Sequence, residues 1–189
     1  IPLYLDISVL YYREDLLKQL PEYQQIKRKL QNSITWEDFL TLHKRLNTKN
    51  PFFIFQAEDY EGLICIFSEM LASLNSSFVK GDSLNINTSE SRKALQFLVD
   101  LIHKYKVSPY EVVRLKEDPS YEYFIKNNGI FLRGWPSFLI DTNVSYYDSK
   151  IYKNLKRVPT PHFENGKRSS VFGGWNLMVS KYSKNKDEA

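Results

Sequence analysis

Apolar residues recur along this chain in two spacings that take turns, one suited to strands and one to helices. Leu3 to Tyr12 is dense in aromatic and β-branched side chains and predicts a strand. It runs into a helical pattern from Arg13 to Leu20, which Pro21 stops because its ring fixes φ and removes a backbone donor. Glu22 to Asn32 is polar, Gln-rich and basic, and reads as a surface helix or loop. Thr35 is a helix cap for Trp36 to Leu46, with Glu37 and Asp38 in the first turn where the helix dipole favours acids and Trp36 assigned to the core. Pro51 then opens the run Phe52-Phe53-Ile54-Phe55, continuous apolar residues of the kind found in a strand covered on both faces.

The second half repeats the alternation. Apolar positions 63, 64, 66, 67, 70, 71 and 74 predict a helix over Glu61 to Leu74 with a broad buried stripe. Phe78 to Asn85, centred on Gly81-Asp82, predicts a short hairpin. Thr88 or Asn87 caps a helix whose Ala94, Leu95, Leu98, Leu101 and Ile102 keep the 3.6-residue period. Pro109 to Pro119 reads as a connection, Ser120 as the cap of a short helix through Lys126, and Asn127-Asn128-Gly129 as its left-handed stop. Ile130 to Leu132 is a short buried strand, Ser137 to Ile140 a helix start, and Tyr146 to Leu155 a surface segment. Val158 to Pro161 is an extended lead to a final strand at Val171-Phe172, a Gly173-Gly174 pair, Trp175, and a resumed apolar run over Leu177 to Val179. Ser183, Asn185 and Asp187 offer caps for one more helix. Strands alternating with helices predict an α/β fold with a central sheet flanked by helices.

Composition narrows what such a fold is for. A chain of 189 residues buries roughly 70% of its unfolded surface, enough for one domain with its own core. Lys plus Arg total 26 against 22 Asp plus Glu, a net charge of +4, and the cations are dispersed along the chain with no run longer than Lys27-Arg28-Lys29. A nucleic-acid module needs clustered cations interleaved with aromatics, so nucleic acid is not a predicted partner. Cys65 has no disulfide partner and sits in an apolar run as a small buried thiol. His43, His103 and His162 lack metal-ligand spacing, and no GxSxG, Walker or GxGxxG element is present, so neither metal nor cofactor is predicted. No apolar segment approaches the about 18 residues of a membrane span. Ile1 lies almost inside a strand with no signal-like segment before it, which reads as a piece of a larger mature protein.

Several residues invite a ligand on their own chemistry. Asp6 is an acid among apolar strand neighbours, either a strand-end carboxylate facing water or a ligand contact. Gln56 to Tyr60 follows a buried strand, and open α/β sheets place ligands at carboxyl strand ends. Trp135 ends another strand and offers a flat apolar face. Gly173-Gly174 is either a bulge or a point of close backbone approach, and Trp175 follows it directly.

These segments together resemble a known family. Ser169 to Ala189, with Gly173-Gly174-Trp175, looks like the second inter-lobe crossover of the extracellular solute-binding proteins of ABC importers, in the sugar-binding family that includes maltose-binding protein. Ile1 to Leu17 resembles the first crossover, Thr35-Trp36-Glu37-Asp38 a TWEE segment, Ser91 to Ile102 the ALxFLxDLI helix, and Phe124 to Trp135 the FxxGxxAMxxxGxW element. The motifs occur in family order across nearly the whole chain. The resemblance implies one lobe of a two-lobe, type II periplasmic-binding-protein-like fold. Residues 1–189 would form the second lobe, bounded by inter-lobe crossovers near residues 1–6 and 171–176, with the other lobe absent. It implies a receptor that captures a mono- or oligosaccharide between its lobes and delivers it to membrane permease subunits. It further implies a monomer without cofactor or metal, extracellular or periplasmic, tethered to the membrane as a lipoprotein through an anchor upstream of Ile1. The ligand-binding residues it implies are Asp6, Glu58, Tyr60, Trp135, Gly174 and Trp175, with Asp59 standing where the family often has proline.

Two other functions stay open at this stage. One is a carbohydrate-active enzyme using Glu58 or Asp59 with a second acid, since spacing in sequence does not fix the distance between two carboxylates. The other is a receptor for a non-sugar solute on the same fold.

Overall fold

The computed structural model describes residues 1–140 and 143–188. Its main sheet has four strands in the order β3 (Phe53–Ile54), β6 (Phe131–Gly134), β2 (Val9–Arg13) and β7 (Leu155–Val158). β3 and β6 run parallel, while β2 is antiparallel to both of its neighbours. The register puts Phe53, Phe131 and Tyr12 on one face and Ile54, Leu132 and Tyr11 on the other. All six are buried, so helices must cover both faces.

On the first face, α3 (Trp36–Leu46) sets Phe39 against Phe53 and Phe131, with ring centroids 5.4 and 4.8 Å away, and sets Trp36 edge-on to Phe53 at 5.7 Å. Thr35 caps this helix by accepting from Asp38 N at 3.1 Å, as its position predicts. α4 (Glu61–Ser73) contributes Ile66 and Met70 to the core, and α5 (Ser89–His103), capped by Thr88 accepting from Ser91 N, places Phe97 5.2 Å from Trp36. On the second face, Phe124 of α6 (Glu117–Lys126) packs near Ile54, and Tyr121 stacks on Phe138 at 4.4 Å, with Tyr11 edge-on to the same ring. α1 (Glu14–Leu17) and α2 (Tyr23–Gln31) follow β2, and α7 (Ser149–Asn154) precedes β7. The segment over Phe78 to Asn85 is a hairpin of β4 (Val79–Lys80) and β5 (Ser83–Leu84), with Gly81 at φ +59° in its turn.

The stretch Leu3 to Tyr12 is two strands, not one. β1 (Pro2–Ile7) leaves the main sheet at Ser8, which is buried and tied to the returning chain: its N–H donates to Val171 O and its hydroxyl accepts from Val171 N, both at 3.0 Å. β1 pairs instead with β8 (Phe172–Asn176) in an antiparallel ribbon, with Gly173-Gly174 inside the strand. The resumed strand over Leu177 to Val179 does not form. Ile1, just before β1, supplies the last two bonds, Leu177 N to Ile1 O and Ile1 N to Leu177 O, both at 2.8 Å, and past it no strand among the described residues lies alongside, so these three residues are exposed. Ser183 and Ser180 accept from Asn185 N and Tyr182 N in local turns in place of the expected helix cap.

Other departures are smaller. α6 begins at Glu117 because Pro119 fits in a first turn, where its missing N–H is not needed. Ser120 is therefore inside the helix, and Asn128 takes the left-handed stop at φ +51°. Ile64 and Leu95, expected in buried stripes, are exposed. Among the described residues no helix is long and apolar enough to cross a membrane, and no group of three or more His, Cys, Asp or Glu could hold a metal.

Candidate ligand-binding site

β3 and β6 are parallel, so both carboxyl ends reach the same edge of the sheet, and the antiparallel β2 enters from that edge directly after the ribbon. A cavity of about 600 Å³ opens there, within the ~300–1,000 Å³ typical of small-molecule sites. The ribbon contributes Tyr4, Asp6, Gly173, Gly174 and Trp175; the start of α4 contributes Tyr60, Glu61, Gly62 and Cys65; α6 contributes Glu117; and the end of β6 contributes Trp135 and Ser137.

The ribbon register explains its share. Tyr4 lies opposite Trp175 and Asp6 opposite Gly173, so a two-residue period turns these four positions to one face. No described residue occupies the space where a Gly173 side chain would stand, which leaves room beside Asp6. Gly174 does a different job. A Cβ there would run into the Tyr4 carbonyl and lie 3.3 Å from Leu5 Cα, so this glycine lets β1 and β8 approach each other. Burial raises the Asp6 pKa, offset in part by the Ile7 N–H that donates to its Oδ1 at 3.1 Å.

Trp135 is held on several sides. Its N–H donates to Tyr121 Oη at 3.0 Å, its carbonyl accepts from Tyr11 Oη at 2.8 Å, and its Nε1–H points to Glu117 Oε1 at 3.4 Å. The Arg133 guanidinium lies 4.4 Å from the ring centroid. Arg133 is itself 1% exposed and donates to Glu69 Oε1 at 2.6 Å and to Gln56 Oε1 at 3.3 Å. Burial works against the charge of Arg133, but Glu69 outweighs it and holds the pKa up. Trp175, by contrast, is 66% exposed. The Tyr60 ring folds back onto the start of α4, where any Cβ at Gly62 would strike its hydroxyl. Burial first, and then the nearby Glu117 carboxylate, push the Tyr60 pKa above its ordinary range, and the buried hydroxyl makes no hydrogen bond of ordinary geometry among the described residues.

Five of the six residues singled out in the sequence, Asp6, Tyr60, Trp135, Gly174 and Trp175, thus line one cavity. Glu58 does not; it pairs with Lys116 at 3.5 Å beside it. Sequence reasoning missed Tyr4 and Glu117. Tyr4 could have been found from its two-residue spacing to Asp6, whereas Glu117 lies in what reads as a connection.

A mixed sheet covered on both faces, with an aromatic and acidic cavity where the strand ends meet a separate two-stranded ribbon, makes this an α/β domain with a small-molecule-sized site at its sheet edge. The family described as bacterial extracellular solute-binding protein matches residues 1–189, and the chain belongs to it. A probable ABC transporter-binding protein of Deinococcus radiodurans is 29% identical over 197 residues, covering 100% of this chain and 44% of the relative. The structure of maltose-bound MalE3 of T. maritima superposes with a TM-score of 0.82 at 30% identity, covering 100% of this chain and 46% of that one. An ABC transporter solute-binding protein from Thermotoga lettingae TMO, bound with α-D-tagatose, gives a TM-score of 0.80 at 21% identity over 47% of its length, a likeness of fold. The chain spans less than half the length of these relatives.

Proposed function

We propose that residues 1–189 form one lobe of a two-lobe carbohydrate receptor serving an ABC importer. The observation that carries this reading is the convergence of Trp135, Trp175, Tyr60 and Tyr4 with Asp6 and Glu117 around one cavity. A sugar ring presents apolar C–H groups on its faces and hydroxyls around its rim. Aromatic faces receive the first and carboxylates accept from the second. The maltose bound by the relative from T. maritima supports a saccharide ligand. The second lobe would close over the cavity, and closure would be the state presented to permease subunits. The receptor works by binding, not turnover, as a monomer outside the cytoplasmic membrane and held there by an anchor. Asp6, Tyr60, Trp135 and Trp175, with Tyr4 and Glu117, are the ligand-facing residues of this lobe, and Gly174 serves them by letting the two ribbon strands approach.

The test is a thermal-shift panel of mono- and oligosaccharides and sugar alcohols on the two-lobe protein, alongside nitrophenyl glycosides. A ligand present at 100 times its Kd stabilises by about 2.7 kcal/mol, a readily measured rise in Tm. A flat panel would overturn the carbohydrate assignment, and steady nitrophenol release would overturn binding without catalysis.

A further inference from the structure

We infer that Glu117 is a carboxylate with which this lobe meets its ligand, alongside Asp6 and in the place that the chain order would give to Glu58; this rests on the carbohydrate reading above. Glu61, next to Tyr60 in the chain, lines the cavity as well, but it is Glu58 and Glu117 that the fold treats oppositely. Glu58 is drawn aside by Lys116, whose Nζ is 3.5 Å from its Oε1, so its charge is already answered, and it is outside the cavity. Glu117, the very next residue after that lysine, turns the other way and lines the cavity.

Its surroundings suit an acceptor. Glu117 is the first residue of α6, where the helix dipole favours a negative charge. One oxygen is 3.4 Å from the Trp135 indole nitrogen, a long contact, and the Tyr60 hydroxyl lies beside the carboxylate; with about four lone-pair sites on its two oxygens, Glu117 keeps accepting capacity for a ligand. No lysine or arginine lines the cavity among the described residues; Arg133 sits against Trp135 and is committed to Glu69. Glu117 therefore lines the cavity next to the Trp135 ring with an uncompensated charge, where the rim hydroxyls of a stacked sugar would lie. Because the same carboxylate touches Trp135, it joins the stacking face and the hydroxyl acceptor into one recognition unit.

The test compares Glu117→Gln and Glu58→Gln in the two-lobe protein, with maltose as the titrant in calorimetry and a urea midpoint for each variant. Replacing a charged acceptor by a neutral amide should weaken maltose binding by about 10- to 100-fold for Glu117→Gln, with an unchanged urea midpoint and a smaller loss for Glu58→Gln. An equal or larger loss in Glu58→Gln, or undiminished binding in Glu117→Gln, overturns the assignment of Glu117 alone. Wild-type protein that binds neither maltose nor any other saccharide of the panel overturns the carbohydrate reading, and this assignment with it.

Discussion

Trp135 and Trp175 face the same cavity but are held in opposite ways. The first is fixed through its backbone to Tyr11 and Tyr121 and through its ring to Arg133, while the second stands 66% exposed on a two-stranded ribbon. A residue with so little contact in the folded chain contributes little to its stability, so Trp175→Ala should leave the denaturant midpoint in place. If its ring receives a sugar face, the same change should weaken binding by about 1–3 kcal/mol. Trp135→Ala should cost a similar amount of affinity and, in addition, about 1–3 kcal/mol of folding stability, less than a fully buried Trp because it is only half-buried. Unchanged affinity in Trp175→Ala, measured by calorimetry beside a urea titration, rejects its ligand role. The two indoles were legible in the sequence because Trp135 follows directly on β6 and Trp175 directly on the Gly173-Gly174 pair within β8, where a side chain's position is set by local chain geometry. The acids were less so. Whether Glu58 faces the ligand or a lysine depends on Lys116, which arrives from a distant segment, and no local spacing encodes that meeting.

The ribbon is the element on which the site depends, and its two glycines make different predictions. Gly174→Ala would press a methyl against the Tyr4 carbonyl, forcing the strands apart at a cost of about 1–3 kcal/mol, while Gly173→Ala points into open space and should be tolerated by the fold. Equal midpoints for the two variants would contradict this division of roles. A second element carries a pH signature. Glu14 at the start of α1 accepts from Tyr23 Oη at 2.5 Å and from Lys18 Nζ at 3.0 Å, and these bonds, the tyrosine's first, hold its pKa down to about 2 against an ordinary 4.5. A depressed folded-state pKa stabilises the fold above the unfolded value and loses that stability as pH falls. Tyr23→Phe should therefore lower stability at neutral pH, and the gap to wild type should narrow from about pH 4.5 towards pH 2; a constant gap in urea midpoints across that range would exclude the effect. Helices were legible almost to the residue where a cap marks them, as at Thr35 and Thr88, because a cap is a local hydrogen bond. Strand limits were not. Whether Leu3 to Tyr12 makes one strand or two is decided by Ser8 bonding to Val171, and whether Leu177 to Val179 is a strand depends on having a neighbour to pair with.

At the scale of the whole molecule, the ribbon poses a problem that this chain does not solve alone. One face of it lines the cavity. On the other, Leu5, Ile7 and Phe172 stand exposed at 70%, 48% and 65%, and the residues after β8 continue the apolar surface with Met178 at 89%. A two-stranded ribbon with a bare apolar face is marginal in water and prone to associate. The family relatives are more than twice as long as the stretch they share with this chain, and under the two-lobe reading the remainder of the receptor covers that face. Two consequences can be measured together. In the isolated chain, backbone amides of Tyr4 to Ile7 should exchange with solvent much faster than those of the main-sheet residues Leu10 to Tyr12, because the ribbon opens locally without unfolding the sheet. In the two-lobe protein the same amides should become protected, and a bound saccharide should protect them further, since closure buries both faces of the ribbon at once. An isolated chain should correspondingly bind maltose at least about tenfold more weakly, having lost the opposing contacts and the closed state. Ribbon amides that are as protected in the isolated chain as in the two-lobe protein would mean that the ribbon is stable by itself and that its apolar face is not built for a second lobe.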